Sequence, residues 1–287
     1  MDRARLSLNQ YTVRPWSLDA AIDACVRREI PSIAVWRDKL AEAGVAGAAA
    51  RLRDAGLRVS SLCRGGFFPA PSANERARRV DDNRRAIEEA AAIGAPLLVL
   101  VCGPAEGQPL PEARAQVADG IAQVAADALA AGVRLGIEPL HPMMIAERSV
   151  IASLREANDL VERIGAPGVR VVCDLYHIFW DAHVESEIAR AGATIAGCHV
   201  SDWTTPRGDV TADRAMLGEG CIDVAGLVGH VERAGYAGDI EIEILNATAW
   251  QGDLDAWLDR ALERYLTIGP ADACVQLDRC SPSIAKD

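Results

Sequence analysis

Short apolar runs alternate with amphipathic, alanine-rich stretches along almost the whole chain, and the alternation never breaks. The runs are Leu6–Asn9, Ser32–Trp36, Val59–Cys63, Pro96–Cys102, Val133–Glu138, Val169–Asp174, Thr194–Val200 and Asp239–Leu245. Helix-sized stretches follow them near 17–29, 42–55, 73–94, 111–131, 149–164, 183–191, 222–235 and 253–267. Several of these stretches reach a glycine just before the next run, as in AAIGAP, ALAAGVR and ERAGYAGD. Glycine at that place is helix C-cap chemistry. Eight strand–helix units in strict order predict an α/β protein with a closed parallel sheet, a single (β/α)8 barrel. An open doubly wound sheet would be supported by a GxGxxG segment after the first run, and none is present. The 287 residues suit one such barrel. We expect a barrel domain over 1–269 and a flexible tail over 270–287, where the helical pattern is lost.

Charge removes several function classes. A net charge of −11 argues against nucleic acid as a partner, because phosphate backbones need a basic face. It leaves room for a local basic pocket that takes a small anion. The start, MDRARLSLNQY, is charged and then strand-like, so neither a signal peptide nor an anchor is expected. Apolar runs fall well short of a membrane span. The 8 cysteines are scattered without a CxxC pair, and several sit inside apolar runs, where cysteine behaves as a small buried hydrophobe. A reduced, cytoplasmic protein is the expectation, with only Cys274 and Cys280 of the tail placed to pair.

The second half of the chain carries the chemistry. Glu138 in RLGIEP, Asp174 in VRVVCDLYH, His199 in TIAGCHVSDW and Glu243 in DIEIEIL each end a strand-like run. On neighbouring parallel strands of a closed barrel, these side chains meet at the C-terminal mouth. Three carboxylates and an imidazole at one point repel one another unless a divalent cation lies between them. Each residue alone has an ordinary explanation. Glu138 could be a loop carboxylate, Asp174 the N-cap of a following turn, and His199 a hydrogen-bonded core histidine. Glu241 rivals Glu243, since alternation puts both on one face of the strand. Their joint placement on four consecutive runs favours a metal site.

The segments IEPLHP, CDLYHIFWD, CHVSDW, LGEGCID and GYAGDIEIEIL resemble the xylose isomerase-like TIM barrels. That superfamily includes sugar phosphate isomerases and epimerases, ketose 3-epimerases, hydroxypyruvate isomerases, inosose dehydratases and endonuclease IV. The similarity spans roughly residues 5–267. It implies Glu138, Asp174, His199 and Glu243 as metal ligands, with the GYxG spacing selecting Glu243 over Glu241. It further implies His177, from the DxxH segment, and Arg214, from ADRAMLGEG, as substrate-binding residues. By the same resemblance Glu138 and Glu243 are the catalytic pair that removes and returns a proton while also holding the metal.

Proton abstraction beside a carbonyl needs a base and positive charge on the oxygens, which a hard divalent ion supplies as a Lewis acid. The resemblance therefore implies a divalent-metal-dependent isomerase or epimerase acting on a sugar, sugar derivative or cyclitol through a metal-stabilised enediolate. The alternative is a lyase on the same scaffold, either inosose dehydratase-like or eliminating from a 3-keto sugar. Manganese is the first expectation for the ion, with magnesium, zinc and cobalt fitting the same donors. Arg64 in SLCRGGFF joins charge to close backbone approach at the mouth. Trp36 with Arg37, and Trp203, are candidates for the substrate wall, and His141, three residues beyond Glu138, is a further candidate substrate ligand. The segment 201–221 reads as a long polar loop after the seventh run, and loops of that length at a barrel mouth are usually functional. A small carbohydrate-like substrate is the expected partner, together with a homo-oligomer, since dimers and tetramers are common in the resembling families. Three-metal nucleases of the endonuclease IV type use histidines on early strands, whereas all 5 histidines here follow residue 140. No glycine-rich phosphate loop opens a helix, so no motif argues for phosphate.

Overall fold

In a computed structural model, which describes residues 1–205 and 208–268, parallel strands close into a barrel in the order β1 to β8. They are β1 (Leu6–Asn9), β2 (Ser32–Trp36), β3 (Arg58–Gly66), β4 (Leu97–Val101), β5 (Arg134–Glu138), β6 (Val169–Asp174), β7 (Ile195–Val200) and β8 (Ile240–Ile242). Closure comes from β1 against β8, with Leu6, Ser7 and Leu8 opposite Ile240, Glu241 and Ile242. The proposed tail over 270–287, with Cys274 and Cys280, lies outside the described residues.

Two apolar layers hold the barrel. The larger lies between the strands and the outer helices, and the smaller fills the bore with Trp36, Cys63, Leu97, Val99, Val172 and Ala196. Gly136 and Gly197 make room in that bore. A β-carbon at Gly136 would meet Val172 and Leu97 at 2.7 and 2.8 Å. Such layering makes the interior of a barrel a packed core rather than a pore.

Helix starts follow local capping chemistry. Ser17, Ser72, Ser153, Asp223 and Asp253 each accept a hydrogen bond from a backbone N–H of the first turn. Three departures from the sequence expectation have local causes. The stretch 42–55 is two helices, Arg37–Ala43 and Val45–Asp54, broken at Gly44 with φ +76°. The stretch 149–164 becomes helical only at Leu154, because Ser153 rather than Ser149 caps it, and Ser149 Oγ instead bonds Ile151. A four-residue helix, Leu175–Ile178, follows β6 directly, capped by Asp174.

After β7 the chain runs through a long polar connection that one carboxylate organises. Asp202 is fully buried and accepts from the backbone N–H groups of Trp203, Gly218, Gly220 and Ile222 at 2.8–3.0 Å. Antiparallel bridges from Asp202 to Ala215 and from Asp213 to Asn246 fold this connection back across the mouth. Among the described residues no helix is long and apolar enough to cross a membrane.

Candidate metal centre

Glu138, Asp174 and His199 belong to β5, β6 and β7, and Glu243 follows β8 by one residue. In the parallel ladders Asp174 stands opposite His199, and His199 opposite Glu241. The Glu243 N–H still bonds Val200 O at 3.0 Å, so the pairing runs on past the end of β8 and aims Glu243 at the mouth. All four residues are buried, and one ligand atom from each lies within 4.8 Å of the others.

The contacts at the centre are close but not those of a satisfied network. His199 Nδ1 lies 3.0 Å from Glu138 Oε1 and 3.3 Å from Glu243 Oε2. Glu138 Oε1 and both His199 nitrogens nevertheless lack well-aligned hydrogen bonds. Buried polar atoms are rarely left so without a reason. Three carboxylate oxygens and an imidazole nitrogen converging on one point fit a hard to borderline divalent cation.

Asp174 serves two ends. Its Oδ1 accepts from Tyr176 N at 3.0 Å, the capping contact, while Oδ2 faces Arg214 Nη1 at 2.9 Å. Arg214 is itself buried, and the same Nη1 reaches Glu243 Oε2 at 3.1 Å and the Glu243 carbonyl at 3.1 Å. Its guanidinium also lies over the Tyr176 ring at 4.3 Å. The resemblance implied Arg214 as a substrate-binding residue; the fold buries it at the base of the cavity, paired with Asp174 and Glu243.

Charge in this cluster is unevenly held. Burial pushes the Asp174 carboxyl up to about 8, against the pull of Arg214 and with the push of Glu243 and Glu138. Glu243 goes the other way: burial opposes its charge, yet Arg214 and His199 hold it well below the usual carboxylate range. At His199 burial also opposes charge, but Glu241, Glu138 and Glu243 outweigh it and raise the imidazole pKa. His177 is driven well below the ordinary imidazole value by burial and by Arg214, and so is neutral. Its Nδ1 accepts from the His141 backbone N–H at 3.2 Å, which places its single proton on Nε2. That nitrogen faces Asp174 Oδ2 at 3.5 Å and Arg214 Nη2 at 3.2 Å.

Above the cluster opens a cavity of about 230 Å³. Glu138, Glu243, His177 and Arg214 form its base, and Tyr11, Trp36, Arg64, Leu140, Met144 and Trp250 stand among its walls. Trp36 is fixed by stacking on Tyr11, with ring centroids 3.5 Å apart, and by donating Nε1–H to Asn9 Oδ1 at 2.8 Å. His141 is not among the lining side chains. Its ring stacks on Trp203 at 4.7 Å and meets Trp180 edge-on at 5.8 Å, so both His141 and Trp203 back the wall. Arg37 turns outward to Asp82 and Glu89. Tyr11, Arg14, Arg148 and Trp250 also line the cavity, and sequence reasoning passed over them. Tyr11 and Arg14 lie just beyond β1, Arg148 and Trp250 farther along the connections after β5 and β8, and no motif marks those positions.

A family model described as a xylose isomerase-like TIM barrel matches residues 22–265. The crystal structure of protein SMc04130 from Sinorhizobium meliloti 1021 superimposes with a TM-score of 0.91 at 42% identity, over 94% of this chain and 100% of that one. The structure of the IolI protein with a bound zinc atom gives 0.81 at 17% identity, over 91% and 96%. D-allulose 3-epimerase from Methylomonas sp. gives 0.72 at 19% identity, over 93% and 98%. At such identities the last two share the fold. Among proteins with curated descriptions, none matches the sequence.

Proposed function

The chain belongs to the xylose isomerase-like TIM barrel family, and from that premise we propose that it is a divalent-metal-dependent isomerase or epimerase. Its substrate is a sugar, sugar derivative or cyclitol, and the reaction takes a proton from the carbon beside a carbonyl. One observation carries the reading: the ligand atoms of Glu138, Asp174, His199 and Glu243 converge within 4.8 Å at the base of the mouth cavity. The zinc atom of the IolI structure and the epimerase activity named for the Methylomonas protein lend support on the same fold.

In this proposal the four residues hold the ion, with manganese first and magnesium, zinc or cobalt compatible with the donor set. When bound, the ion supplies Lewis-acid polarisation of the substrate carbonyl and balances charge developing on oxygen. Glu138 and Glu243 move the proton. Arg214 keeps Glu243 ionised and so able to accept a proton, at the cost of some basicity. Glu138 comes from the opposite end of the ligand-bearing arc of strands, so the two carboxylates can address two faces of one carbon. Use of both faces inverts that carbon; return of the proton to the adjacent carbon isomerises. His177 stands at the base of the substrate cavity beside Asp174 and Arg214, while Trp36 and Arg64 pack along the substrate.

Incubation of the manganese-loaded protein with keto-sugars in deuterated water tests the reading. Incorporation of deuterium at the carbon beside the carbonyl, with no other change in formula, is expected. Loss of water or of a substituent would move the protein to the lyases. Failure to take up any divalent ion, with no exchange into any substrate, would overturn the proposal.

A further inference from the structure

Several of the arginines drawn inward in this protein are neutralised by carboxylates. Arg37 of the second strand–helix unit is held by Asp82 and Glu89, and Arg214 by Asp174 and Glu243. Arg64, at the end of β3, is mostly buried and yet makes no ion pair among the described residues. Arg14, beyond β1, and Arg148, on the connection after β5, line the same cavity and are also without a carboxylate partner there. The cavity's own acids, Glu138 and Glu243, are committed to His199 and Arg214. In a chain of net charge −11, three unbalanced guanidiniums on one small cavity form a local reversal of sign.

Geometry prepares these guanidiniums for an oxyanion. Arg64 Cζ sits 3.9 Å from the centre of the Phe67 ring, and Arg14 Cζ lies 5.0 and 5.2 Å from the rings of Tyr11 and Trp250. Stacking fixes the plane of the guanidinium and leaves its N–H edge to form paired bonds with carboxylate or phosphate oxygens. Burial and then the charges of Arg148 and Arg37 hold the Arg64 pKa below the ordinary arginine value, with Cys63 and Tyr11 opposing. A bound anion relieves that repulsion.

We propose that Arg14, Arg64 and Arg148 form an oxyanion subsite in the mouth cavity. The substrate of the reaction proposed above, on which this inference rests, is then a carbonyl sugar bearing a carboxylate or phosphate on the end away from the reacting carbon. Trp36, Leu140 and Met144 contact its carbon skeleton between the two charged regions.

Calorimetric titration of the manganese-loaded full chain with D-fructose, D-fructuronate and D-fructose 6-phosphate tests this, with metal content measured in every sample. The three probes share a carbonyl end and differ in charge at the other. At least one anionic probe is expected to bind about tenfold or more tighter than fructose, and which one does so separates carboxylate from phosphate. That preference should fall to roughly threefold or less in Arg64→Gln and in Arg148→Gln, with metal content unchanged. Equal affinity for all three probes, or a preference that survives both substitutions, overturns the subsite. Absence of binding by all three and by inorganic phosphate does so too. A chain that takes up no metal but keeps an arginine-dependent preference for the anionic probes overturns the enzyme reading and leaves the subsite standing.

Discussion

His199 Nε2 lies 3.2 Å from the buried carboxylate of Glu241, on the side of the imidazole away from the nitrogen that faces Glu138 and Glu243. Ser61 donates to the same carboxylate at 2.8 Å, so Glu241 is itself oriented. A carboxylate behind a ligating histidine sets its tautomer and makes the outward nitrogen a better donor to a cation. Glu241→Gln is therefore expected to weaken divalent-ion affinity by about 10–100-fold in competition against a chelator. Burial raises the Glu241 pKa, so its charge costs stability at neutral pH, and that cost disappears when the group is protonated or replaced. The metal-free Gln variant should consequently melt at or above the parent temperature. A variant that loses stability and metal affinity together would contradict this division.

Arg214 supplies a positive charge to Asp174 and Glu243 in fully buried surroundings. Replacement by Met leaves the ionised Glu243 uncompensated, which costs roughly 3–5 kcal/mol when a buried pair is broken. The metal-free Arg214→Met protein should show that loss in denaturant unfolding, and an added divalent ion should restore a larger share of stability to it than to the parent. Equal stabilisation of the two proteins by metal would remove Arg214 from this role.

Asp202 gathers four backbone N–H groups of the connection after β7. Asn at this position offers one oxygen and one NH2, so two of those N–H groups would face a donor. The substitution is expected to cost about 2–4 kcal/mol, since bonds to a buried charged acceptor are the strong ones. Limited proteolysis should then cut within 203–221 under conditions in which the parent chain survives.

Five cysteines, Cys25, Cys63, Cys102, Cys173 and Cys198, are buried as free thiols, and Cys221 is exposed. Burial pushes Cys25, Cys102 and Cys198 up to about 12 from an ordinary 9.0. These groups keep their protons when folded at a pH where the unfolded chain ionises, so stability should fall as pH rises above about 9. Mass mapping after alkylation at pH 8 should find Cys221 modified and those five intact. Modification of Cys63 in native protein would show that the bore opens, and of Cys173 that the layer between strands and helices does.

Much of this architecture is legible in the order of residues, and the illegible parts share a cause. β1, β2 and β6 begin and end where the apolar runs do. Convergence of Glu138, Asp174, His199 and Glu243 follows from strand ends alone once the sheet closes. By contrast, β3 runs on to Gly66, because Gly65 and Gly66 pair with Leu100 and Val101 and Asn83 bonds Gly66 on both its N–H and its carbonyl. Those partners are remote in sequence. Alternation could not separate Glu241 from Glu243 because both do turn inward, at different depths. Arg14, Arg148 and Trp250 reach the cavity through the paths of connecting segments, which long-range contacts decide.

The closed sheet keeps the reacting groups in one half, while the substrate wall draws on both. Every residue proposed to hold the ion or move a proton comes from the arc β5 to β8, whereas Tyr11, Arg14, Trp36 and Arg64 come from β1 to β3 or just beyond them. Change in the early connections can thus redraw which molecule is accepted while the reacting groups stay in place. A lineage, or a laboratory, can retune much of the substrate wall through the first third of the chain and leave the reacting groups untouched.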